Sequence, residues 1–315
     1  MAEGRSHGRT ARHKLSVVEP FRLDLTATAL RRLPTNVVDL LTPAGEYLRA
    51  LEGEHGAVVV RVTQTKPEAL NVTIEGAAAE HARALALVRR MLGVDRDVSA
   101  FDRAAARVPW LKPLVHRLRG VKPPRYPSLW EAFVNVVVFQ QVSLKAASTI
   151  VKRVVVSLGT EVERQGVSMY VFPSAERVLD AKDALLRGAG LSPSKLATLR
   201  RAGGALLSGE LDEAMLEERT SAEAAELLRR IKGIGPWSAT VILLRGLGRL
   251  DVFPGKDTSV MHNLALVTGS APRDVKGTLE RLGAERGMLY YYLLLARLEA
   301  SGTLGAPEQP PSDDD

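Results

Sequence analysis

Residues 227–257 read LLRRIKGIGPWSATVILLRGLGRLDVFPGKD. Leu227, Leu228 and Ile231 are spaced as the apolar side of a helix, and Lys232-Gly233-Ile234-Gly235-Pro236 ends it. Gly233 and Gly235 permit the torsions of a tight inter-helix turn and leave the backbone open to close approach. Ile234 can tuck between the helices, and Pro236 suits the first position of the second, where a missing N–H costs least. The N–H groups from Trp237 to Ala239 then point out of a helix start. Such a hairpin binds a phosphate through backbone alone and reads no sequence. Gly233, Ile234, Gly235, Trp237, Ser238 and Ala239 are the candidate contacts. The same Gly-x-Gly also serves an ordinary helix–turn–helix corner, for geometry only. Asp257 precedes TSVMHNLALV, so it is either the N-cap of that helix or a carboxylate free for chemistry. His262, on the same helix, reads as a structural residue.

The 315 residues are enough to bury a large core and to divide into two or three domains. An apolar content of 45% with 25% charged residues is that of an ordinary globular protein. No run approaches the roughly 18 apolar residues of a membrane span, and residues 1–15 lack the apolar core of a signal peptide. A cytoplasmic protein with no membrane partner is expected. The chain has no cysteine, which excludes disulfides, thiolate metal sites, cysteine nucleophiles and cysteine-ligated iron–sulfur clusters. Net charge is +7, with +3 in residues 1–15 and −4 in residues 303–315, leaving +8 between them. That excess is what a polyanion binder needs, although many basic proteins never meet DNA.

Residues 1–15 (polar and basic) and 303–315 (Pro-rich and acidic) are expected to be disordered tails. FRLDLTAT (21–28), AVVVRVTQ (57–64) and ALNVTIEG (69–76) alternate as strands do, and TKPE connects the last two as a hairpin. A helix follows over about 77–92. From Phe101 onward helix signals dominate. Ser128 with Glu131 reads as a capping box, Ser143 caps a helix over 144–158, and Ser174 caps one over 175–187. Ser194 opens another, Thr220 with Glu223 caps the helix running to Ile231, and a last helix spans about 286–300. The expected class is α+β, with a small antiparallel-sheet and helix domain at 16–100 and a mainly α-helical core at 101–302.

No HExxH, nucleophile elbow or Walker loop is present, so metal, serine or nucleotide-driven hydrolysis has no foothold. The hairpin and its downstream carboxylate resemble the signature of the helix–hairpin–helix DNA glycosylase superfamily, and within it the DNA-3-methyladenine glycosylase II branch. GIGPWSA puts Trp237 where that branch has tryptophan, and DVFPGKD puts Asp257 twenty positions beyond it. LWEAFVNVVVFQQVSLKAA is similar to the family's Gln-containing helix turn. The amino-terminal unit resembles the branch's TATA-binding-protein-like half. The likeness covers roughly residues 20–300, closely at the motifs and loosely elsewhere.

The resemblance implies an enzyme of base excision repair that acts on double-stranded DNA carrying damaged bases, with two helical subdomains flanking an active-site cleft. Asp257 would be the catalytic residue. Bifunctional relatives place a Schiff-base lysine where this chain has Trp237, so a monofunctional enzyme without a lyase step is expected. Lys256 reads as a phosphate contact or a solvated charge. The missing cysteines argue against the iron–sulfur branches resembling endonuclease III and the adenine glycosylase acting opposite oxidised guanine. A base inside a duplex must be flipped out, and an alkylated purine already carries positive charge, so it leaves without a strong general acid. Stacking on electron-rich rings would recognise that charge. Trp237, Trp130 and Tyr291, from the run Tyr290-Tyr291-Tyr292, are the candidate pocket rings, each equally readable as core. At most one or two of the three tyrosines can face one side of a helix.

The family's wedge turn corresponds to Gln140-Gln141-Val142-Ser143, which makes Gln141 the wedge and Gln140 and Ser143 its neighbours on DNA; a glutamine there could equally only satisfy helix-end carbonyls. Lys145, Lys195 and Arg245 are further candidates for phosphate contact. Four positions after Trp237 the family's best-known members carry an aromatic and this chain has Val241, which leaves the substrate range open. No cofactor or metal site is required, although the family allows a backbone-bound alkali or magnesium ion at Gly233–Gly235, and a monomer is expected. Two alternatives remain: a glycosylase for hypoxanthine, 8-oxoguanine or uracil, and a non-catalytic DNA-binding protein.

Overall fold

A computed structural model of the protein describes residues 9–255, 258–269 and 274–304. The first part is a five-stranded antiparallel sheet. Its strands are β1 (Arg9–Ser16), β2 (Asp39–Leu41), β3 (Tyr47–Leu51), β4 (Val58–Lys66) and β5 (Ala69–Gly76), in the spatial order β1-β5-β4-β3-β2. The β4–β5 hairpin stands where the alternation of 57–64 and 69–76 puts it. Helices α1 (Leu23–Arg31) and α2 (His81–Leu92) pack on one face of the sheet, where Leu23, Ala27, Leu30, Val88 and Leu92 meet Val60, Val72 and Ile74.

Two expectations for this part are corrected. Residues 21–28 form no strand; most of the segment is helix α1. Its alternation is misleading because α1 is buried on two sides, with Leu23, Ala27 and Leu30 against the sheet and Leu25 and Ala29 against the helical part. The tail expected over 1–15 is corrected from Arg9 onward, residues 1–8 lying outside the described residues. From Arg9 to Ser16 the chain pairs residue by residue with β5, and it looks polar because an outermost strand keeps most of its side chains in water.

The second part contains α3 (Ser99–Ala105), α4 (Lys112–Arg117), α5 (Leu129–Phe139) and α6 (Leu144–Leu158), followed by the hairpin of β6 (Thr160–Arg164) and β7 (Val167–Val171). The helices α7 (Ala175–Asp180), α8 (Asp183–Gly188), α9 (Pro193–Leu207), α10 (Glu213–Glu217) and α11 (Ser221–Arg229) come next. The chain continues with α12 (Pro236–Gly246), α13 (Thr258–Thr268), α14 (Val275–Leu282) and α15 (Met288–Ala300). The β6–β7 hairpin is the one strand pair set among the described helices of the mainly α-helical core. Gln165 and Gly166 both take positive φ, 52° and 75°, as a two-residue hairpin turn requires. Its Val162, Met169 and Val171 cover the second face of the sheet at Leu48, Ala50 and Val59.

Ser143, Ser174 and Thr220 cap their helices as expected, the last in a full capping box. The helix expected over 175–187 instead breaks at Ala181-Lys182, and Ser192, with Pro193 behind it, replaces Ser194 as the cap of α9. Helix α12 is shared by two cores. Val241, Ile242 and Leu243 join the cluster around α5, α9 and α11, while Leu244 joins the cluster around α3, α13 and α15.

The Ser128–Glu131 capping box is only half made. Ser128 accepts the Glu131 N–H, but the Glu131 carboxylate turns inward to Arg49. Arg49, 1% exposed, reaches Asp39 Oδ1 at 2.6 Å with Nη1 and Glu131 Oε2 with Nη2, and Tyr47 donates to the same Asp39 oxygen. One guanidinium thus serves two buried carboxylates and ties the sheet to α5. Removing it leaves both buried carboxyl groups without their donor, and Arg49→Leu should cost about 3–5 kcal/mol, read as a fall in the urea midpoint.

Burial pushes Glu131 up to about 7, with Arg49 pulling it down and Asp39 adding to the rise. The folded chain therefore keeps a proton that an unfolded glutamate, at about 4.3, releases. The stability this proton confers is fully present below the unfolded value and is lost as pH rises through about 7. Urea midpoints measured across that range should fall with rising pH in the wild type, and Glu131→Gln should remove this component of the slope.

Candidate active site

A cleft of about 960 Å³ opens between the two helical clusters. One wall is the end of α5 and the turn after it, from Phe139 to Leu144. A second wall is the hairpin with the start of α12. A third comes from α13 and α15.

The hairpin is built as its glycines imply. Gly233 has φ 105°, and a Cβ there would lie 2.0 Å from Thr198 Oγ1. Gly235 is the N-cap of α12, and a Cβ there would meet open space. Ile234 is buried between the helices. Two of the six candidate backbone contacts are corrected, because their N–H groups are already used. Ile234 N–H donates to Ile231 O at 2.9 Å and Ala239 N–H to Gly235 O at 3.0 Å. Among the described residues, the N–H groups of Gly235 and Ser238 make no such bond. Of the hairpin carbonyls, Ile231 O, Lys232 O and Gly233 O each already accept a protein donor.

The turn after α5 is strapped to the hairpin. Gln140 Nε2 donates to Gly233 O at 2.9 Å and to Ser238 Oγ at 2.7 Å, so Gln140 serves inside the protein. Gln141 is the exposed member, held with φ 56°, and Ser143 caps α6. The torsion at Gln141 is sparsely populated for a side chain other than Gly, Asn or Asp, and such strain is typical of functional turns.

Of the expected pocket rings, Trp237 lines the cleft. Trp130 and Tyr291 do not. Trp130 is buried in the α5–α9 core with Nε1 donating to Pro173 O. Tyr291 is fully buried and its hydroxyl donates to Pro124 O and Leu244 O. The rings that join Trp237 are Tyr290, one position earlier on α15, and Phe139, with Val241 between the walls. Tyr290, Leu294 and Arg297 face the cleft at helical spacing, which places Tyr291 and Tyr292 inward. His262 is exposed at the rim of the same cleft, and Asn263 is buried with Oδ1 unpartnered.

Among the three candidate cations, Arg245 is corrected outright. It is fully buried and donates to Ala29 O and Leu30 O, where the last carbonyls of α1 need donors. Lys195 closes the end of α5 through Val138 O at 2.7 Å, and burial lowers its pKa. Lys145 is exposed on the first turn of α6. Asp257 and Lys256 lie outside the described residues. Arg32 and Arg297 put positive charge in the cleft, and its described lining residues include no carboxylate. Glu54, His55 and Glu80 form the cluster with metal-ligand spacing among the described residues, away from the cleft, and Glu80 is already engaged by Arg83. No described helix is long and apolar enough to cross a membrane.

The comparisons with known proteins converge on one family. The model described as HhH-GPD superfamily base excision DNA repair protein matches residues 134–286, and the AlkA N-terminal domain model matches residues 13–129. The chain is 32% identical over 219 residues to a probable bifunctional transcriptional activator/DNA repair enzyme AlkA of Mycobacterium tuberculosis, covering 68% of this chain and 42% of that protein. It is 28% identical over 180 residues to the DNA-3-methyladenine glycosylase of Bacillus subtilis, covering 57% and 59% of the two chains. It thus spans about half the length of these curated relatives. The solved 3-methyladenine DNA-glycosylase from Archaeoglobus fulgidus superposes with a TM-score of 0.75 at 25% identity, over 91% of this chain and 99% of that one. The 8-oxoguanine glycosylase/lyase of Clostridium acetobutylicum shares the fold, with a TM-score of 0.70 at 18% identity over 93% of this chain and 98% of that one.

The two hairpin glycines should respond differently to a methyl group. Gly233→Ala combines a left-handed torsion with overlap against Thr198, and should destabilise by at least about 1–3 kcal/mol. Gly235→Ala should melt within a degree or two of the wild type in the same thermal scan.

Proposed function

Because this chain belongs to the HhH-GPD superfamily of base excision DNA repair proteins, we propose that it is a monofunctional DNA glycosylase that removes alkylated purines of the 3-methyladenine and 7-methylguanine type from double-stranded DNA. One observation carries the reading. The cleft has ring walls and cations but no described carboxylate, and Asp257 stands one position before α13, whose Val260, His262 and Asn263 line that cleft. A carboxylate is the group the chemistry still needs.

In this reading the hairpin N–H groups of Gly235 and Ser238 hold a backbone phosphate, and Gln141 fills the space left by the flipped nucleotide. The extruded base enters between Trp237, Tyr290 and Phe139. Its positive charge makes it a leaving group without protonation, so the bond from C1′ breaks with both electrons going to the base. Asp257 stabilises the oxocarbenium-like sugar and takes the proton of the water whose oxygen bonds to C1′. No cofactor enters this scheme, and one copy of the chain is enough for one lesion. Trp237, where bifunctional relatives carry lysine, leaves no amine at that position for a Schiff base.

Release of free base from methylated duplex DNA tests the reading. Asp257→Asn should lower it by roughly 10²–10³-fold while duplex affinity stays near the wild-type value. If neither protein releases base while both bind DNA, the protein is a binding module. Release confined to oxidised or deaminated DNA would reassign the substrate. Borohydride should trap no covalent protein–DNA adduct, and an adduct would overturn the monofunctional assignment and point to Lys256.

A further inference from the structure

Helix α1 ends in an unusual way. The residue after its last turn, Arg32, has φ 65° and ψ −73°, and its N–H donates to Thr28 O at 2.8 Å. A positive φ is natural for glycine and costly for arginine. The bend carries the side chain inward, to 5% exposure, with the guanidinium carbon 3.9 Å from the centre of the Phe139 ring. Nη1 is buried and has no hydrogen-bond partner. The side chain lines the same cleft as Phe139, Trp237 and Tyr290. A strained backbone thus holds a guanidinium at the wall of the cleft, packed on one of its rings, with Nη1 buried on the side of a smaller hollow that Arg32 also lines.

A guanidinium that lines the cleft has donors to offer, and an acceptor on whatever fills the cleft would engage them. If the occupant is a flipped purine, its edge either accepts or donates at C6. Guanine-type purines carry a carbonyl there, and adenine-type purines carry an amino group that would face donor against donor. We infer that Arg32 is a specificity-determining residue that donates from its guanidinium to a base carbonyl, so that the cleft favours 6-oxo over 6-amino purines. This rests on the glycosylase reading for its substrate, while the donor itself does not. The positive charge of Arg32 acts on 7-methylguanine and 3-methyladenine alike, because both are cationic. Their ratio therefore isolates the hydrogen bond.

Two variants test it. Arg32→Met keeps the packing on Phe139 without a donor, and Arg32→Gly removes the side chain at a torsion that glycine adopts at lower cost than arginine, so its melting temperature should not fall as a structural arginine's would. The first readout is the ratio of single-turnover release rates for 7-methylguanine and 3-methyladenine from methylated duplex. The second is the relative affinity for uncleavable 2′-fluoro duplexes carrying hypoxanthine or adenine at one site, which differ at C6 in the same sense. Both variants should lower the release ratio by about ten- to a hundredfold and abolish the wild-type preference for the hypoxanthine duplex. An unchanged ratio, an equal loss for both bases, or a wild type without the binding preference overturns the inference. A wild type that prefers the hypoxanthine duplex but releases no base defeats the glycosylase reading and leaves the role of Arg32 standing.

Discussion

The contact of Arg245 with the end of α1 holds the two parts of the molecule in register. Arg245 lies on the helix that begins at the hairpin, and its guanidinium donates to the Ala29 and Leu30 carbonyls some two hundred residues earlier. Burial works against its charge, yet electrostatic interaction with Tyr126, Tyr290 and Tyr291, and a side-chain hydrogen bond to Tyr290, leave its pKa above the ordinary value. A cation at the carbonyl end of a helix is favourable in itself. Here it also fixes where α1 stops, and hence where Arg32 turns toward the cleft. Arg49 does the parallel task for the sheet, joining β2 and β3 to α5, the helix whose far end becomes the Phe139–Gln141 wall. The amino-terminal unit therefore contributes directly to the cleft. Arg32 is its residue there.

The fold was legible in the sequence where local chemistry decides it. The glycine hairpin, Pro236, the β4–β5 alternation and the Ser and Thr caps all act within a few residues of themselves. Reading failed where a distant neighbour decides. FRLDLTAT alternates in sequence, but α1 is enclosed by the sheet on one side and by the helical part on the other. Glu131 leaves its capping role because Arg49, from another domain layer, offers a stronger partner.

The site shows the same division. Trp237 reaches the cleft because the hairpin places it there within one turn of a helix. Three consecutive tyrosines announce a helix but not its rotation; packing of α15 turns Tyr290 outward and commits Tyr291 to the core. Arg245 looks like a surface cation until α12 is seen to be covered on both sides. Phe139 and Arg32 had no local signal at all. Their significance is their contact with each other, across more than a hundred residues of chain.

The outermost position of β1 has a practical consequence for handling the chain. Its residues look like a dispensable basic leader, and trimming before Ser16 would be a natural economy. The cut would strip a whole strand from β5 and leave that strand's N–H and C=O row open to pairing with a second molecule. Arg9, Arg12 and Lys14 thus act as a charged selvedge, a finished border that keeps the sheet from unravelling into its neighbours.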